Sequence, residues 1–141
     1  MLSVPEAERT ANDLSTRLGR DPDNAEAREE FARLLAAPLG QPEAAIEQLD
    51  LLLAWAAAPA DKVAHWLGLK AAWQLKHLQD EAAARTTLEE ILRRFPASVE
   101  ALQAQRRLSL MRQAEAQEKA AALPAAAPIL RLRVEPGRGG K

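Results

Sequence analysis

The feature that most constrains this chain is the regular interruption of helix-forming sequence by short breaks carrying proline, glycine or a capping side chain. DPDN (21–24), APLGQP (37–42), the alanine-rich 56–60 with Pro59, and FPAS (95–98) are such breaks. Proline cannot continue a helix, and Asn, Asp or Ser just before an apolar run starts one. The chain between the breaks therefore reads as about six helices: Pro5 to Leu18 with Gly19 as its stop, Ala25 to Ala36, Pro42 to Trp55, Asp61 to Leu78, Asp80 to Arg94, and Val99 to Leu123.

Each segment carries its apolar residues three and four apart, the spacing of one helix face. Ala7, Ala11, Leu14 and Leu18 form the first stripe; Ala27, Phe31, Leu34 and Leu35 the second; Ala45, Ile46, Leu49, Leu52 and Leu53 the third. The fifth helix offers Ala84, Leu88, Ile91 and Leu92. The fourth is different, with a main stripe of Val63, Leu67, Ala71, Leu75 and Leu78 and a second apolar line of Trp66, Leu69 and Trp73. Aromatic residues are only 4% of the chain and tyrosine is absent, so the residues that favour strands are scarce. The expected fold class is all-α.

The breaks and stripes repeat. Ala45 and Ala84 open two helices at equivalent places, and Leu49 with Leu88 and Leu52 with Ile91 follow at the same offset. Pro22 and Pro96 close helices at the same stage, and Ala32 and Ala72 are read as equivalent small residues in the preceding helices. These residues resemble the tetratricopeptide repeat family, whose unit is a 34-residue antiparallel helix pair with small residues at the crossing and a closing proline. The resemblance covers roughly residues 7–110; the offset from Ala45 to Ala84 is longer than the family unit, which implies extra helical turns or a longer connector. The resemblance implies a right-handed stack of antiparallel helix pairs, an α-solenoid with a concave groove lined by the first helix of each pair. It also implies that the 7–22 helix is a second helix without its mate, so that the chain is either an excised domain or capped by that helix.

Residues 1–123 are accordingly expected to form the repeat domain, and 124–141 a proline-alanine linker with a flexible basic tail. The formal net charge of −1 hides an asymmetry, because 124–141 carry +3 and the rest −4. Within the tail, 129–134 (ILRLRV) alternate apolar and basic residues, a strand-like period that a partner chain would have to pair. No basic run followed by an apolar core stands at the N-terminus, so no signal peptide is read and no direct membrane insertion is expected. The cytoplasm is the expected compartment, or the periplasm if the chain is cut from an anchored parent.

Chemistry-bearing constellations are sparse. Cysteine is absent. His65 and His77 lie about 18 Å apart along one helix at ~1.5 Å per residue, too far to share a metal. Glu26 and Glu30 with Arg33, and Glu90 with Arg94, read as surface ion pairs. The expectation is a non-enzymatic protein with no cofactor and no metal site. The candidate partner site is Trp66, Leu69, Lys70, Trp73 and His77, where two indoles flanked by cations would hold an apolar or aromatic peptide or partner helix. Packing of both indoles under the preceding helix around Trp55 is the competing reading. Arg106, Arg107 and Arg112 form a secondary basic patch, with too little charge and no interleaved aromatics to point to nucleic acid. Homo-oligomerisation through unpaired end helices is the alternative role.

Overall fold

The computed structural model describes residues 2–122, and these are all-helical. The six helices are α1 (Val4–Arg20), α2 (Ala25–Ala36), α3 (Pro42–Leu53), α4 (Ala60–Lys76), α5 (Glu81–Arg94) and α6 (Val99–Ala121), with no strand among the described residues. The expected linker and tail, including the strand-like 129–134, lie outside the described residues.

Local chemistry sets most of the boundaries. Ser3 caps α1 in a capping box: its hydroxyl accepts from the Glu6 N–H at 3.3 Å, and the Glu6 carboxylate accepts from the Ser3 N–H at 2.9 Å. Those bonds hold the Glu6 carboxyl below the usual carboxylate range. Asn24, Asp80 and Ser98 cap α2, α5 and α6 in the same way, each accepting from the N–H three residues on at 3.0–3.1 Å.

The described residues divide into two units, one ending at Gln105 and the other beginning at Arg106. In the first, helices pack on their sequence neighbours, α1 on α2, α2 on α3, α3 on α4 and α4 on α5, most extensively within α2–α3 and α4–α5. The fully buried Ala45 and Ala84 lie in α3 and α5, and Leu49, Leu52, Leu88 and Ile91 are buried after them. The equivalent of Ala32 is Ala71, not Ala72: Ala71 is buried and Ala72 exposed, and the pair Ala32 and Ala71 then has the same offset as Ala45 and Ala84. In the second unit, α6 buries Leu108 and Met111.

Both kinds of turn occur twice with the same backbone. Between α2 and α3 the Leu39 N–H bonds the Leu34 carbonyl at 3.1 Å and the Gln41 N–H the Leu35 carbonyl at 2.7 Å. Between α4 and α5, at the offset of the buried alanines, the Leu78 N–H bonds Trp73 at 3.2 Å and the Asp80 N–H bonds Gln74 at 2.9 Å. Gly40 (φ +65°) and Gln79 (φ +52°) hold the same left-handed place. The short turns α1–α2 (21–24) and α5–α6 (95–98) form a second matched pair. In each the C-cap (Asp21, Phe95) bonds back to the last helical turn, proline follows, and the N-cap residue (Asn24, Ser98) bonds the C-cap carbonyl at 3.1–3.2 Å. The α3–α4 connector, 54–59, follows neither pattern.

Candidate functional site

Helix α4 sits between α3 and α5 in the packing order, and its two apolar lines are both used. Trp66 is 1% exposed and Trp73 9%. They share a core cluster with Ala32, Leu35 and Ala36 of α2 and Ala45, Leu49 and Leu52 of α3, and Leu69 packs against it part-buried. The expectation that these two indoles face a partner is thus corrected. A helix with packed neighbours on two sides is apolar nearly all round, so its second apolar line is core. The neighbours are α2 and α3 residues, not Trp55, which is 42% exposed.

Burying an indole leaves its N–H in need of an acceptor. Trp66 Nε1 donates to Glu29 Oε1 of α2 at 2.8 Å. The other oxygen, Oε2, accepts from Arg33 (Nη2 at 2.9 Å, Nε at 3.2 Å) and lies 3.1 Å from His65 Nε2. His65 Nε2 is also 3.2 Å from Arg33 Nη2. A guanidinium only donates, so an unprotonated Nε2 accepts from Arg33 and a protonated one donates to Glu29. Burial by itself raises the Glu29 carboxyl, but the hydrogen bonds from Trp66, Arg33 and His65, with the charge of His65, together hold it below its ordinary value. This corrects the expected pairing: Arg33 is tied to Glu29 rather than to Glu26 or Glu30. Helical spacing permits Glu29 and Glu30, four and three residues before Arg33, while Glu26 lies two turns away; the approach of α4 selects Glu29. The Glu90–Arg94 pair forms as expected, at 2.8 Å.

The remaining members of the candidate line are accessible. Lys70 reaches Asp50 Oδ1 of α3 at 2.7 Å, with its side chain 24% exposed. His77 is the half-buried C-cap of α4. Arg106, Arg107 and Arg112 are exposed on α6 in the second unit. Among the described residues no group of three or more His, Asp or Glu side chains is placed to hold a metal ion. No described helix is long and apolar enough to cross a membrane.

Two features escaped the sequence reading. One is a buried polar contact in which Thr87 Oγ1 of α5 donates to Gln74 Oε1 of α4 at 2.8 Å. The other is a cleft of about 260 Å³ where the α1–α2 turn meets the end of α3, lined by Pro22, Asp23, Arg28, Leu51, Leu52 and Trp55 among others. Arg28 holds its wall, donating to Gln48 Oε1 at 2.7 Å and the Pro22 carbonyl at 3.0 Å. The sequence signal for the cleft was a tryptophan directly before a proline-alanine connector, but periodicity places such a residue on no face. Comparison with protein families, with characterised proteins and with solved structures finds no match to this chain.

Proposed function

We infer that this chain is a non-enzymatic interaction scaffold of the tetratricopeptide kind, a right-handed stack of antiparallel helix pairs that holds a peptide or partner helix in a concave groove. The observation that carries the reading is the double matching of turns, α2–α3 with α4–α5 and α1–α2 with α5–α6. Two turn types that each recur are what a helical repeat supplies, with the α3–α4 connector a departure from the pattern. The Trp66–Glu29 bond also favours a stack, because it joins α2 and α4, the first helices of successive pairs. In such a stack α1, whose buried residues form a single stripe and whose other faces are mostly polar, serves as the cap.

The groove face is then built from α2 and α4, where Leu69, Lys70 and His77 remain within reach of a partner. The test is affinity capture with the full chain, followed by NMR mapping with the purified partner. Perturbations on the outer faces of α2 and α4, weakened by Lys70→Glu, are the expected result. Retention of no protein, or perturbations confined elsewhere, would refute the groove.

A second reading, self-association, is favoured by exposed apolar side chains at both end helices of the first unit: Val4 on α1 with Leu2 just before its cap, and Val99 and Leu102 on α6. Mass in solution at two concentrations separates the two, since a strict monomer rules out self-association.

A further inference from the structure

Helices α1 and α6 differ in what they leave uncovered. The C-caps Asp21 and Phe95 align α1 with α5, which sets Thr10, Asp13 and Arg17 where α5 has Ala84, Thr87 and Ile91. The face of α1 that would meet a preceding first helix is thus polar, as a cap requires. Helix α6 is the opposite case. The N-caps Asn24 and Ser98 align it with α2, and the buried Ala32 and Ala71 align α2 with α4. In α2 the face so defined is covered by α3: Arg28 bonds Gln48, and Ala32 and Leu35 share a core with Ala45, Leu49 and Leu52. In α4 it is covered by α5: Leu67 and Ala71 are buried, and Gln74 accepts from Thr87. In α6 the same places hold Leu102, Arg106 and Ser109, all exposed. Leu102 is 67% exposed, and Val99 and Leu110 on the same side are 65% and 52% exposed. Since Ala101, Ala104 and Leu108 on the other side are buried, α6 has one packed face and one open apolar face.

What covers the equivalent faces of α2 and α4 says what fits this one. Both covering helices carry a small residue, Ala45 or Ala84, with large apolar residues four and seven places on. Helix α6 asks for two changes to that pattern. Leu102 stands where Arg28 meets Gln48, so the covering helix needs an apolar residue three places after its small one. Arg106 stands at the place of the buried alanines, and a guanidinium there calls for a carboxylate beside it. A second copy of the chain offers no such helix, because its α3 and α5 already cover α2 and α4 and the corresponding face of α1 is polar.

We propose that the outer face of α6, with Val99, Leu102, Arg106 and Leu110, docks an amphipathic helix of a partner protein that takes the place of a second helix. That helix carries a small residue, apolar residues three, four and seven places after it, and an acidic flank for Arg106. The site rests on the repeat register of the scaffold reading but not on the groove of α2 and α4, so the two can fail separately.

The protein's own α5 supplies the probe: residues 80–94 as an acetylated and amidated peptide, with leucine in place of Thr87. The control peptide also carries glutamate in place of Leu88 and Ile91. Titrated into the isotope-labelled full chain, the probe should shift amide resonances between Val99 and Leu110 and leave those of α2 to α4 in place, while the control shifts none. Leu102→Glu, at an exposed position, should weaken the probe about tenfold with no change in helical circular dichroism, and Arg106→Ala about threefold. Lys70→Glu, which tests the groove, should leave binding of the probe unchanged. Unshifted α6 resonances, equal shifts with the control, or shifts spread over α4 and α5 would overturn the proposal. A dimer that Leu102→Glu turns into a monomer would overturn it too, since a second copy would then hold the face. A captured partner that still maps to α2 and α4 would leave the groove intact in each case.

Discussion

Gly40 and Gln79 occupy one backbone position in two copies of the same turn, with φ of +65° and +52°. Each precedes the N-cap of the helix that carries the buried alanine, Ala45 or Ala84. Nothing lies within 4 Å of a side chain built on Gly40, so the difference between the two turns is one of backbone energy rather than space. The left-handed region costs an L-residue about 1–2 kcal/mol, part of which glycine returns through its freer unfolded chain. Gln79→Gly should therefore stabilise the protein by about 0.5–1 kcal/mol and Gly40→Gln destabilise it by a similar amount. Urea unfolding of both variants checks this; equal stabilities would show that the turns do not share their strain.

The next residue in each turn offers a second comparison. Asp80 caps α5 through its carboxylate, while Gln41, with similar backbone angles, makes no side-chain cap on α3. Gln41→Asp should add about 0.5–1 kcal/mol, and Asp80→Ala should remove about as much. A thermal melt that rises for the first and falls for the second is the expected outcome.

Gln74 and Thr87 pose a buried-partner problem. Both are under 9% exposed, and the Thr87 hydroxyl has the Ala83 carbonyl as its only other acceptor among the described residues, at 3.1 Å. Thr87→Val keeps the shape and orphans Gln74, which should cost about 1–3 kcal/mol. Adding Gln74→Leu should recover much of that loss, because two apolar groups need no bond. A double-mutant cycle by chemical denaturation measures the coupling, and simple additivity would mean the bond contributes nothing.

The Glu29 junction should show itself in pH. Its carboxyl lies below the ordinary value of 4.5 in the folded chain. The stabilising contribution is therefore complete above that ordinary value and is lost as pH falls through the lower folded one. Glu29→Gln should flatten the acid limb of the stability curve in that window. Trp66→Phe should have a partial effect, since Arg33 and His65 still reach the carboxylate. Wild type and Glu29→Gln with parallel acid limbs would place the acid sensitivity elsewhere.

Sequence alone located the helices, because caps and breaks act within a few residues of themselves. Pro22, Asn24, Pro42, Asp80 and Pro96 mark ends close to where they fall, and the constant offset of Ala45, Leu49 and Leu52 from Ala84, Leu88 and Ile91 is a one-dimensional fact. The all-helical class follows from the same signals. The tertiary structure decided how the faces are used. Periodicity shows that α4 has two apolar lines but not how many neighbours it has, so Trp66 and Trp73 could be assigned to core only once α2 and α3 lay against them. Helical spacing likewise offers Arg33 two glutamates, Glu29 and Glu30, and the choice of Glu29 comes from an indole and an imidazole on a helix far along the chain. Trp55 reads from sequence as the end of the third helix, but α3 stops at Leu53 and leaves it 42% exposed on the connector, where no period assigns a face. Short-range chemistry is written along the chain, whereas burial depends on which distant surface arrives.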